Sequence, residues 1–342
     1  YKDGKAKKIC YVEIPYILKR DEYISLGDLT SKLEDYIEPS ANSHTSAIPI
    51  LEAVNLGAEE TANCYLVEKP GIYSFKAVKG NTTEALSSIG SVEVLWETWG
   101  TAEEVVPNSV VAQVDYEQDV IYFRIAEGFH PGNAVIAAKN DFGAIMWSWH
   151  IWVTDYNPDA TAQTYKSGAV MMDRNLGALN VVHGDVLSFG LFYQQGRKDP
   201  FVGCGNMSTK KFASTAPSGI IKYQSGGSTA KSIENPNIVY GSLSSSWTDD
   251  KSIYDPCPAG WKVPAESVWT GFSTSYMSNT TYGRVFRSPA SSPDAYYPLT
   301  GDTEMGEQVL RSPGTTGYMW TTTSGYAYNF KSCSRDSRSR YD

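Results

Sequence analysis

Between residues 46 and 156, apolar and polar positions alternate in short runs broken by turn residues. Asn63-Cys64-Tyr65-Leu66-Val67 and Ile72-Tyr73-Ser74-Phe75 flank the turn Lys69-Pro70-Gly71, and Val92-Glu93-Val94-Leu95-Trp96 repeats the two-residue period. Strands have that period because successive side chains point to opposite faces of a sheet. A meander follows. The pattern predicts that Val120–Ala126 pairs with Ala134–Ala138 across Pro131-Gly132-Asn133, and that this second strand pairs with Ala144–Thr154 across Asn140-Asp141-Phe142-Gly143. Runs of this length and spacing predict a β-sandwich over residues 46–156.

The last of these strands carries Trp147-Ser148-Trp149-His150-Ile151-Trp152. Alternation sets Trp147, Trp149 and Ile151 on one face and Ser148, His150 and Trp152 on the other. An exposed aromatic platform for sugars is one reading. A central strand packed on both faces, with His150 hydrogen-bonded, is the reading the run favours, because neither face is polar throughout.

The flanks read differently. In residues 1–45, Ile9–Tyr16 alternates like one strand, and Leu29, Leu33, Tyr36 and Ile37 share a helical face that Asp28 could cap and Pro39 would end. A piece of about 40 residues cannot bury a core of its own, so it reads as a linker or the remnant of an upstream domain. Residues 157–342 read as a second domain with an α+β character. Asp185 is expected to cap a helix running through Gln195 and stopped by Gly196, and Pro264 to start another. The span Ser208–Ser252, rich in Ser, Gly, Thr, Lys and Asn, is expected to be a long exposed loop. The fold class is therefore mainly β with an α+β C-terminal part.

Composition narrows the partners. With 41% hydrophobic and 20% charged residues the chain is globular, and a net charge of −9 argues against a nucleic-acid or anionic-membrane partner. No run of about 18 apolar residues occurs, so no membrane-spanning helix is expected. The chain begins at Tyr1 rather than Met and reads as an excised mature fragment. Cys10, Cys64, Cys204, Cys257 and Cys333 stand far apart, and His44, His130, His150 and His183 form no metal-ligand spacing, so neither a metal site nor a cofactor is expected. There is no Gly-x-Ser-x-Gly elbow and no phosphate-binding glycine loop, and no residue is singled out as catalytic. Pairs of carboxylates that could serve a glycosidase cannot be recognised from sequence.

The most constrained stretch is Tyr254-Asp255-Pro256-Cys257-Pro258-Ala259-Gly260-Trp261-Lys262-Val263-Pro264. Three prolines and a glycine restrict the backbone, while Cys257 and Trp261 offer buried anchors. Its bottom-up reading is a rigid corner, with Cys257, Trp261, Trp269 and Trp320 as structural core. The Cys-Pro-x-Gly-Trp-x-Val-Pro pattern also resembles the Fibrobacter succinogenes major paralogous domain of Bacteroidetes surface proteins. Met171-Met172-Asp173-Arg174-Asn175-Leu176-Gly177, Gly190–Phe201 and Tyr318-Met319-Trp320-Thr321-Thr322-Thr323 resemble other motifs of that family, in the family's order. These matches span about residues 168–342, roughly half the chain. The Asn63–Val67, Ile72–Phe75 and Trp147–Trp152 segments resemble a sandwich module of fimbrillin-like proteins.

The resemblance implies a C-type-lectin-like domain after the sandwich. It also implies a bacterial cell-surface, outer-membrane-associated or extracellular location. In that family a cysteine of the last strand lies near the Cys-Pro-Ala-Gly-Trp cysteine. It therefore implies that the partner of Cys257 lies beyond Asp342, with Cys333 as a substitute. The calcium-dependent sugar motifs of C-type lectins, Glu-Pro-Asn or Gln-Pro-Asp with Trp-Asn-Asp, do not occur. Fold likeness alone does not carry that site.

The segment Ser324–Asp342 is rich in Tyr, Ser, Asn, Asp and Arg, the residues of adaptable binding surfaces. Tyr326, Tyr328, Asn329, Arg335, Asp336, Arg338 and Tyr341 are the candidate ligand-binding residues. The other reading is an ordinary polar strand pair whose arginines are solvated edge charges. The expectation is a non-enzymatic adhesin or fimbrial tip protein whose partners are a surface glycan or protein ligand and other fimbrial subunits. A structural fimbrial subunit and an envelope carbohydrate-active accessory protein stay open.

Overall fold

A computed structural model describes residues 48–337, apart from residues 220, 242, 245, 246 and 304–309. The expected strand and helix within residues 1–45, and the candidates Arg338 and Tyr341, lie outside the described residues. Eight strands build the first half: β1 (Val54–Asn55), β2 (Cys64–Val67), β3 (Ile72–Lys76), β4 (Ile89–Thr98), β5 (Val111–Glu117), β6 (Val120–Ile125), β7 (Gly132–Asn140) and β8 (Ile145–Val153). They form two four-stranded sheets, ordered β1-β3-β6-β5 and β2-β8-β7-β4. The fold is mainly β, as the alternation predicts.

One pairing differs from the expected meander. β7 does pair with β8, with Ile136 opposite Trp149, but β6 pairs with β3 and β5 rather than with β7. The connection through Pro131 crosses from one sheet to the other. Ile121, Phe123 and Ile125 then meet Ala134, Ile136 and Ala138 face to face within one core. A turn between two alternating runs looks the same in sequence whether the runs share an edge or face each other across a core. The Pro70–Gly71 turn is another such crossing, since β2 and β3 also belong to different sheets.

The sheet holding β8 is covered on both sides. Trp147, Trp149, Ile151 and Val153 fill the sandwich core. On the opposite face Trp152 packs with Tyr156 and Leu179, and Val135 packs with Trp96, Val202 and Ala213. The C-terminal half therefore forms a third layer on this sheet, within one compact unit. His150 is hydrogen-bonded and buried, which favours the central-strand reading over a sugar platform.

Polar groups on that outer face are mostly paired, as burial favours, although Asp199 Oδ2 has no hydrogen-bond partner. Lys198 Nζ donates to Asp199 Oδ1 at 2.7 Å, to Ser148 Oγ at 2.7 Å and to Ser148 O at 2.9 Å. Its ammonium sits 4.5 Å from the centre of the Trp147 ring. Burial pulls the Lys198 pKa down, against the opposing pull of Asp199.

The C-terminal half is built from short strands and turns, and it corrects three expectations. Asp185 does cap its segment, accepting from Leu187 N at 3.0 Å, but only a single turn, Val186–Ser188, follows. Gly190 adopts φ +76°, and a Cβ there would meet Leu176 O at 2.5 Å, so the backbone passes too closely for a helix to continue. Val186, Phe189 and Tyr193, whose spacing predicts one helical face, divide between clusters: Val186 and Phe189 lie beside Cys204 and Tyr193 beside Cys257, while Leu191, predicted on the neighbouring face, lies beside Trp96. The Pro264 helix is likewise one turn, Glu266–Trp269. The stretch 208–252 holds structure. Lys222–Gln224 pairs in parallel with Ile238–Tyr240 across the helix Thr229–Glu234. The buried Arg197 guanidinium secures that helix end by donating to the carbonyls of Ser232, Asn235 and Ile238. Among the described residues, no helix is long and apolar enough to cross a membrane.

Candidate functional site: an aromatic cavity beside the late sheet

The Asp255–Pro264 corner is organised by one carboxylate. Asp255 Oδ1 accepts from Cys257 N at 2.8 Å and Oδ2 from Val263 N at 2.9 Å, so its two oxygens clamp both ends of the loop. Cys257 and Val263 then pack with Trp247, and with the half-buried Tyr193, Trp261 and Trp320. Burial pushes the Cys257 thiol well up, with the nearby Asp255 adding to the effect.

Next to this corner lies an open cavity of about 620 Å³. Its walls include parts of residues 169–176, 189–194, the corner at 256–265, residues 296–303 and Tyr318–Trp320. Cys257 and Trp269 are buried, as the core assignment requires. Trp261 and Trp320 depart from that assignment. Both are half-buried and both line the cavity, so one flank of each is packed while the other meets the open space. Trp320 is oriented by its indole Nε1, which donates to Tyr193 O at 2.8 Å.

Polar groups at the wall are largely committed to each other. Arg174 makes a two-point contact with Asp173, Nε to Oδ1 at 2.9 Å and Nη2 to Oδ2 at 3.2 Å, and its guanidinium lies 3.8 Å from the centre of the Tyr156 ring. Sequence reading quoted Asp173 and Arg174 only as part of a motif. An acid directly followed by an arginine is a weak signal without the fold that sets the pair on the buried Tyr156 ring.

The late sheet is three antiparallel strands, Tyr318–Trp320, Tyr326–Asn329 and Ser334–Ser337, in that order. Their register divides the candidate binding residues between two faces. Tyr328 stands opposite Arg335, and Ala327 opposite Asp336. Tyr326, Tyr328 and Arg335 therefore share one face, and Ala327, Asn329 and Asp336 the other, where Ala327 lines the cavity. On the first face Arg335 lies 3.4 Å from the Tyr326 ring centre and 3.4 Å from Glu266 Oε2. Tyr328 is buried, stacked on Trp269 at 4.8 Å, so it belongs to the core rather than to an exposed surface. On the second face Asn329 Nδ2 donates to Asp336 Oδ2 at 3.2 Å.

The thiols do not pair in the way the resemblance implies for Cys333. Cys257 and Cys333 are both free. Cys333 packs against the cluster of Tyr328 and Phe330, away from the one that holds Cys257.

One arrangement resembles a nucleophile with its base. Cys64 and His150 stand opposite each other on β2 and β8. Cys64 Sγ lies 3.3 Å from His150 Nδ1, and His150 Nε2 lies 2.9 Å from Asn133 Oδ1. This network assigns the imidazole proton to Nε2, leaving Nδ1 to accept the thiol proton. All three residues are buried. Burial raises the Cys64 thiol far above its ordinary range and pushes His150 down to about 3, so both stay neutral. Among the described residues, no group of three or more His, Cys, Asp or Glu side chains could hold a metal ion.

No protein-family model, curated protein or solved structure matches this chain. The likenesses drawn from motifs thus stand on the residues quoted for them.

Proposed function

We propose that this chain is a non-enzymatic binding protein of the bacterial cell surface, an adhesin or fimbrial tip protein that takes its ligand in the aromatic cavity of its C-terminal half. The cavity is the observation that carries the reading. Its volume falls within the range of about 300–1,000 Å³ usual for ligand sites, and its walls combine aromatic faces with a few fixed polar groups. Packing on both faces of the β8 sheet gives it a rigid base, as recognition sites on scaffolded loops require. The surface location, the lectin-like ancestry and the fimbrial partners rest on the sequence motifs. The burial and neutrality of the Cys64–His150 pair argue against that pair as a nucleophile with its base.

The test is binding of the full chain to glycan and host-protein arrays, beside Trp261→Ala and an Arg335→Ala/Tyr326→Ala variant. Loss of a specific signal in Trp261→Ala, with folding retained, supports the cavity. Loss only in the Arg335/Tyr326 variant moves the site to the other face of the late sheet. Binding to nothing, with ordered polymers after proteolytic trimming, favours a structural subunit.

A further inference from the structure

Lys251 is enclosed by oxygens. Its Nζ lies 2.8 Å from Asp255 Oδ1, 2.9 Å from Cys257 O, 3.3 Å from Pro258 O and 2.7 Å from Trp261 O. The Lys251 side chain is 12% exposed and that of Asp255 1%. One carboxylate and three peptide carbonyls converging on a point are the donor set of a hard-cation site. The loop itself sets up this convergence. Pro256 and Pro258 restrict φ, Trp261 N closes a turn onto Pro258 O at 3.2 Å, and the Asp255 carboxylate holds Cys257 N and Val263 N. Carbonyl dipoles aimed at one another repel unless positive charge lies between them.

We propose that residues 255–261 form a cation cradle and that Lys251 is its tethered cation. The ammonium would do what a bound ion does elsewhere: hold the loop closed and fix the Trp261 wall of the cavity. The proposal does not depend on which ligand the cavity takes, and its test reads no ligand binding.

Melting of wild type, Lys251→Ala and Lys251→Met is compared in tetramethylammonium, sodium, potassium, ammonium and calcium chloride at one ionic strength. Lys251→Ala vacates the cradle, while Lys251→Met refills the channel without a charge. In tetramethylammonium chloride both variants should melt about 5–10 °C below wild type. At least one of the smaller cations should restore about half or more of that loss in Lys251→Ala, along a saturable curve. Lys251→Met should keep its loss in every salt, and wild type should not distinguish the cations. A variant that melts with wild type, a loss that no cation repairs, or equal repair by tetramethylammonium overturns the proposal. Should Lys251→Ala not fold, reductive methylation of the native wild-type protein decides. Lys251 should react at least about tenfold more slowly than the exposed Lys69, Lys211 and Lys222; comparable rates overturn it.

Discussion

Asn63 and Asp255, 192 positions apart, are joined by a hydrogen bond of 2.8 Å from Asn63 Nδ2 to the Asp255 carbonyl. The same amide donates to Ile253 O at 2.8 Å, and its Oδ1 accepts from Trp147 Nε1 at 3.0 Å. One buried side chain thus links the tryptophan strand of the sandwich to the corner that walls the cavity. Asn63→Ala would leave the indole N–H and two carbonyls without this partner. It is expected to cost about 2–4 kcal/mol, read as a lower urea midpoint with unchanged slope. A cost under about 0.5 kcal/mol would mean that water replaces the amide.

His150 makes stability depend on pH in a definite direction. Its folded pKa is about 3, below the ordinary 6.5, so the unfolded chain takes up a proton that the native one refuses. Its contribution is complete above pH 6.5 and declines as pH falls toward 3, by about 1.4 kcal/mol per unit. Denaturation series from pH 7 to 4 should therefore show a shallower decline in His150→Gln than in wild type. Parallel slopes would place the titration elsewhere.

The Lys198–Asp199 pair should behave as a buried ion pair. Removing one partner, as in Lys198→Met or Asp199→Ala, strands the other charge and is expected to cost about 3–5 kcal/mol. The double variant Lys198→Met/Asp199→Leu should lose less than the sum of the two losses. A double-mutant cycle by chemical denaturation checks this; strict additivity would show that the two groups do not depend on each other.

Tyr328 separates a core role from a binding role. Its hydroxyl is buried without a partner while its ring stacks on Trp269. Tyr328→Phe should be neutral or stabilising by up to about 1 kcal/mol, whereas Tyr328→Ala should cost about 3–5 kcal/mol. Any ligand bound by wild type should be bound equally by Tyr328→Phe. A lower melting temperature of the phenylalanine variant would mean that the hydroxyl has a partner, such as an ordered water.

Several features of the fold are legible in the sequence. The runs at 63–67, 72–75, 92–96, 120–126 and 144–154 are strands because alternation is a local property of the chain. The Trp147–Trp152 run announced a strand buried on both faces because both of its sets of positions carry bulky rings. Helical spacing alone over-predicts helix in the C-terminal half. Val186, Phe189 and Tyr193 have helical spacing, yet the close approach of Gly190 to Leu176 O breaks the run, leaving Val186 and Phe189 in one cluster and Tyr193 in another.

The sequence by itself determined the mainly β class, the positions of the sandwich strands and the rigidity of the Asp255–Pro264 corner, since these follow from local periodicity and from proline's restricted backbone. Tertiary structure alone decided that β6 and β7 face each other instead of pairing, and that Cys64 meets His150 in a sealed network. It also decided that Trp261 and Trp320 line a cavity, and that Lys251 lies among four oxygens. Each of these depends on contacts between distant segments. Periodicity tells a residue which side of its own element it occupies, but only packing determines what stands on that side.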